Sequence, residues 1–220
     1  MSRSKKQQRA RGAHRIWLVI GMVVIAAILA FVVQHRPAQQ NPRQPNPAQQ
    51  AVPLKEGSMV GDAVFPMGDT PQGGQGQTVN TVQCNTTEQL VYHNHAHLSL
   101  FVNGKQVAVP ANIGILQLAS AGPGAGKGCV YWLHTHDATG IIHMESPVNK
   151  TFTLGDLFAI WGQPLSGTNL AGNSGTVTAY VDGKPYTGDP AAIPLAAHTQ
   201  ITLEVGQTVK PPVYTLPAGL

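Results

Sequence analysis

The chain has 220 residues, room for one domain or two small ones, and a formal net charge of +4 at pH 7. That charge is unevenly placed: six of the fourteen Lys/Arg lie in the first 15 residues with no acidic neighbour, leaving eight against all ten Asp/Glu in the rest. A duplex binder needs a basic stripe on its folded domain to displace counterions, so the slightly acidic remainder argues against nucleic acid as a partner.

Residues 1–15 read as a basic cytoplasmic tail, carrying Arg3, Lys5, Lys6, Arg9, Arg11 and Arg15. Residues 16–33, IWLVIGMVVIAAILAFVV, contain no charge; as a helix they would extend about 27 Å, close to the hydrocarbon thickness of a bilayer. Trp17 suits the interface, and the Lys/Arg excess before the segment places the N-terminus in the cytoplasm. A cleaved signal peptide has a similar start but a shorter apolar run ending at a small-x-small site, which Ile28 and Ala30 match poorly. The expectation is a single-pass transmembrane helix held in the lipid bilayer of the cytoplasmic (inner) membrane, with the C-terminal domain extracytoplasmic.

Residues 34–80 form the expected linker. From Gln34 to about Pro53 the chain is rich in Pro, Gln and Asn and poor in large apolar side chains, so it cannot bury enough surface to offset ordering and should be an extended tether. From 54 to 80, Val60, Val64, Phe65 and Met67 are able to dock on the domain, whereas Gly-Gly-Gln-Gly-Gln at 73–77 reads as loop.

The domain is expected over 81–220. Alternation from Tyr92 to Val109 on both sides of Asn103-Gly104 predicts a hairpin with a type I′ turn. Leu98, Leu100, Val102, Val107 and Val109 then share the core face, and His93, His95, His97, Ser99 and Phe101 share the other. Thr153-Leu-Gly-Asp156 reads as a capped helix start, followed by Leu157, Phe158, Ile160 and Trp161 and stopped by Gly162 and Pro164. Thr176–Val181 and Thr199–Val205 alternate again, with Asp182-Gly183 as a turn. The two Val-Asn/Asp-Gly-Lys hairpins resemble each other as text, which turn chemistry alone accounts for. The fold class is mainly β: a small antiparallel sandwich or open barrel with one short helix.

Two cysteines, Cys84 and Cys129, fall in the exported part. An oxidising compartment favours a disulfide; two unrelated core residues, or two thiolate ligands for Cu(I), are the other readings.

Six of the domain's seven histidines occur as His93-Asn-His95-Ala-His97 and as His134-Thr-His136-Asp137-Ala-Thr-Gly140-Ile-Ile-His143-Met-Glu145. Residues two apart on a strand share a face, so the first run is a same-sided row. In the second, a turn over Asp137–Gly140 pairs 136 with 141 and sets His134 opposite His143 at cross-strand distances of about 5 Å between Cβ atoms, which suits a shared metal. His93 and His97, about 13 Å apart along a strand, cannot be co-ligands. The expected ligands are His95 and His97 with two or three of His134, His136 and His143, holding a divalent Cu or Zn ion. Asp137 and Glu145 are placed to orient the rings or fill an open position. Against this stands a row of solvated or hydrogen-bonded histidines with no metal.

The stretches YHNHAHLSLFVNGKQVAVPANIGI, CVYWLHTHDATGIIHMESP and FTLGDLFAIWGQPL, spread over Tyr92 to about Pro164, together resemble a family of exported or membrane-anchored prokaryotic His-rich domains. The resemblance implies export and one His-rich domain, and brings no activity with it. Three functions follow as expectations: a membrane-anchored metal-binding domain; a metal-dependent envelope enzyme with Asp137 or Glu145 as base; or a non-metal module that binds an envelope protein partner, its histidines sensing pH or packing. No HExxH helix or nucleophile motif is present to favour the enzyme.

Overall fold

Asn103 and Gly104 both take positive φ, 50° and 79°, as a type I′ turn demands. The turn joins strands β1 (Tyr92–Val102) and β2 (Lys105–Val107), with Val102 paired to Lys105 and Leu100 to Val107 as the alternation predicts. Five further strands complete the sheet that positions the site: β3 (Leu133–His134), β4 (Ile141–Ser146), β5 (Val177–Val181), β6 (Lys184–Tyr186) and β7 (Gln200–Val205). Asp182 and Gly183, again at positive φ, close the β5–β6 hairpin.

This is a computed structural model that describes residues 49–65, 68, 72–116 and 128–220. The expected basic tail, membrane helix 16–33 and first part of the linker lie outside the described residues. Among the described residues no helix is long and apolar enough to cross a membrane.

The seven strands form one open sheet in the order β6-β5-β7-β1-β4-β3, with β2 also on β1. It is accompanied by several two- and three-stranded sheets, and the described residues contain no closed barrel. One feature departs from the expected antiparallel arrangement. Strand β7 runs parallel to β1, pairing Gln200 with His97 through to Val205 with Val102, because the chain leaves β6 through a short 3-10 turn at Pro190–Ala192 and re-enters the sheet in the direction of β1. The sheet is therefore mixed.

The helix α1 (Leu154–Trp161) forms where its cap chemistry predicts. The Thr153 hydroxyl accepts from the Asp156 N–H while the Asp156 carboxylate accepts from the Thr153 N–H, a reciprocal pair worth on the order of 1 kcal/mol. Gly162 ends it in the left-handed region at φ 73°. Leu154, Leu157, Phe158, Ile160 and Trp161 are buried and join Leu98, Leu100, Ile142, Met144 and Leu203 in one apolar core on the aliphatic side of the sheet.

The histidine side is covered too. Val52–Pro53 pairs in parallel with Tyr214–Thr215, and Leu54, Tyr214 and Ile141 form a second small core with Val60, Leu216 and Leu220 packed on it. Phe65 meets the Trp161 ring edge-on at 5.1 Å, and the Gly74 N–H donates to the Ile160 carbonyl. Residues 49–80, where described, thus lie on the domain rather than trailing from it; the docking considered for Val60 and Phe65 is seen, Val64 is exposed, and Met67 lies outside the described residues. Cys84 and Cys129 form a disulfide, which removes the thiolate-ligand and unpaired-core readings of this pair.

Candidate metal centre

Three neighbouring strands build the site. β4 lies between β1 and β3, and its register sets His143 opposite both His95 and His134, with Glu145 opposite His93. Because strand side chains alternate, these five residues fall on one face while Ala96, Ile142, Met144 and Leu133 point into the aliphatic core. The His134–His143 pairing is the one the sequence predicts. Gly140 makes the preceding turn possible: it sits at φ +87°, and a Cβ there would meet the Leu98 carbonyl at 2.3 Å.

The donor atoms converge. His95 Nε2 lies 3.1 Å from His143 Nδ1, and His134 Nε2 lies 3.2 Å from His136 Nε2. Glu145 Oε1 is 3.3 Å from His93 Nε2, 3.5 Å from His143 Nδ1 and 4.0 Å from His134 Nε2. Two ligands of one tetrahedral ion, each bonded at about 2.0–2.1 Å, sit about 3.3 Å apart, so the imidazole pairs already stand at ligand–ligand spacing. Two groups of four result, His134/His136/His143/Glu145 and His93/His95/His143/Glu145, with the donors of each within 4.8 Å of one another. Either group could hold a metal ion.

Second contacts orient the rings. His134 is fully buried, and its Nδ1–H donates to the Tyr131 carbonyl at 2.9 Å, which leaves the Nε2 lone pair facing the cluster. Burial holds the His134 pKa down to about 3, only partly opposed by Glu145, and that of His95 down to about 4, with His143 and His93 adding to the effect. Burial and the neighbouring His143 lower His136 as well. Neutral imidazoles at physiological pH are the form that binds a metal. For Glu145, burial pushes the pKa up, but the hydrogen bond with His143 and the charges of His134, His143 and His93 together leave it below the usual carboxylate range. Its Oε2 is buried with no hydrogen-bond partner among the described residues.

The geometry places two of the expected residues outside the cluster. His97 joins neither group: it pairs with Ile141 at the end of β4, its Nε2–H donates to the Thr139 carbonyl at 2.9 Å, and its ring lies 4.5 Å from that of Tyr214. The adjacent pair that does converge is His93 and His95. Asp137 is occupied by the turn, accepting from the Thr139 N–H and hydroxyl and, at 2.7 Å, from the Gly57 N–H. Glu145 is the carboxylate inside both groups: spacing two residues after His143 puts it on the same face, and the β1–β4 register sets it against His93.

A cavity of about 420 Å³ opens beside the cluster, lined by Glu56, Gly57, His136, Asp137, Ile141 and His143 with Leu220. It borders two of the candidate ligands and gives the site access to solvent. Compared with known proteins, the chain matches no protein-family model, no curated protein and no solved structure. The functional reading therefore rests on this geometry.

His97 yields a pH prediction independent of any metal. Burial lowers its pKa from 6.5 to about 4, opposed in part by the Thr139 carbonyl. The unfolded chain then takes up a proton that the folded one refuses, so this contribution to stability is intact above about pH 6.5 and is lost as pH falls toward 4. Between pH 7 and 4.5 the loss is roughly 2.5 kcal/mol. Urea unfolding at the two pH values should show wild type losing about that much more than His97→Gln; equal losses would contradict the assignment.

Proposed function

We propose that the chain is a membrane-anchored, extracytoplasmic protein whose His-rich domain binds a divalent copper or zinc ion. The observation that carries this is the convergence of His134 Nε2, His136, His143 and Glu145, three imidazoles and one carboxylate, within 4.8 Å. Nitrogen-rich sets with one carboxylate suit Zn²⁺ and Cu²⁺, and the carbonyl bond that fixes His134 is the kind of second contact metal-binding histidines use. The Cys84–Cys129 disulfide fits an oxidising compartment. Residues 16–33, with the basic tail before them, supply the anchor.

Elemental analysis of the full chain, extracted in detergent from membranes and dialysed against metal-free buffer, is the test. Stoichiometric zinc or copper is expected in wild type, and at most a tenth of that in the His134→Ala/His143→Ala double variant. Wild type without metal, or a variant that keeps it, would defeat the proposal.

The cavity at His136 and His143 favours a second reading, a metal-dependent enzyme in which the ion keeps a position open to a small molecule. Asp137 is engaged in the turn, so Glu145 would be its carboxylate base. Azide added to the Cu²⁺-loaded chain separates the two: a new ligand-to-metal absorption band reports an open position, and an unchanged spectrum a closed binding site.

A further inference from the structure

We propose that this sheet face binds two metal ions side by side, one at His134 and His136 and a second at His93 and His95, with the Glu145 carboxylate between them and His143 bound to one of them; this rests on the metal-binding reading above. The six donors do not gather as one set: they divide into two groups of four, each within 4.8 Å, that have His143 and Glu145 in common. A ring nitrogen has one lone pair, so His143 Nδ1 serves one ion and only the carboxylate can bridge. Each set has its own close imidazole contact, 3.1 Å for His95 with His143 and 3.2 Å for His134 with His136.

Glu145 is built for the shared place. Its Oε1 stands 3.3 Å from His93 of one group and 4.0 Å from His134 of the other, while Oε2 is buried with no hydrogen-bond partner among the described residues. A buried carboxylate oxygen without a donor is costly, and a carboxylate that bridges two ions satisfies both oxygens. Two-metal centres with ions about 3.5–4 Å apart use this arrangement.

The two positions are unequal. His134 is buried and locked by the Tyr131 carbonyl, whereas the His93 side chain is 40% exposed and is held by Glu145 and by edge-on packing against the His95 ring. With one carboxylate shared by two dications, the second ion meets the charge of the first. Binding should therefore proceed in two steps, the tighter at His134/His136.

Zn²⁺ titration of the full chain in detergent micelles, followed calorimetrically, tests this. Wild type should take up two equivalents in two steps. His93→Ala, a half-exposed position where folding is safe, and His93→Ala/His95→Ala should lose the weaker step and keep the tighter one. With two equivalents of Cu²⁺, coupling of the two spins should remove most of the EPR intensity that one equivalent gives and add a half-field line. A single equivalent in wild type would overturn the second ion and leave the metal-binding reading standing, and no uptake at all would overturn both. Two equivalents with two independent, full-intensity signals would overturn the shared centre.

Discussion

Glu145→Gln is expected to destabilise the metal-free protein and to abolish most of its stabilisation by zinc. The wild-type carboxylate is 3% exposed, yet the hydrogen bond with His143 and the neighbouring imidazoles hold its pKa below the usual range, so the fold favours the charged form over a neutral one. An amide of the same shape forfeits that preference. With metal the gap widens. At a free zinc concentration of 100 times its Kd, wild type gains about 2.7 kcal/mol. Loss of an outer partner alone weakens a metal site about 10–100-fold, and loss of a ligand costs at least the upper end of that range, which leaves the variant about 0.4 kcal/mol of gain. Denaturant unfolding at pH 7.5 with and without zinc checks both halves. A variant less stable than wild type without metal, yet equally stabilised by zinc, would show that Glu145 only supports the fold.

Removing the disulfide should cost about 4 kcal/mol. The Cys84–Cys129 bridge spans 45 residues, and closing a loop of that size withdraws about this much free energy from the unfolded chain. Domains are stable by only about 5–15 kcal/mol, so the loss is a large share. The bridge also clips the short strand Cys84–Asn85 onto Cys129–Tyr131, just ahead of β3, where Trp132 Nε1–H donates to Asn85 Oδ1 and the Tyr131 carbonyl holds His134. Reduction should therefore weaken metal binding together with stability. Cys84→Ser/Cys129→Ser melting within about 1 kcal/mol of wild type would contradict the estimate.

Local chemistry made part of this architecture readable in advance. Asn103-Gly104 and Asp182-Gly183 turn where positive φ is available, Thr153 and Asp156 start helix α1, and the pairing of His134 with His143 follows from the Asp137–Gly140 turn. What was not readable depends on pairings between distant segments. No spacing rule places β4 antiparallel to β1 in the register that sets Glu145 against His93, and none predicts that β7 enters parallel to β1. The same limit explains His97. Within His-x-His-x-His the three rings are equivalent, and only the position of the folded turn assigns His97 to the Thr139 carbonyl and leaves His93 and His95 facing the cluster. Residues near Val52 looked like tether because their partners, Tyr214 and Thr215, lie at the other end of the chain.

X-ray absorption at the zinc edge of the full chain, loaded with one equivalent, tests whether histidines from separate strands share an ion. The expected spectrum shows a shell of about four nitrogen and oxygen neighbours at about 2.0–2.1 Å, with the outer-shell scattering of two or three imidazole rings, lost in His134→Ala/His143→Ala. An all-oxygen shell without imidazole scattering, unchanged in that variant, would contradict it.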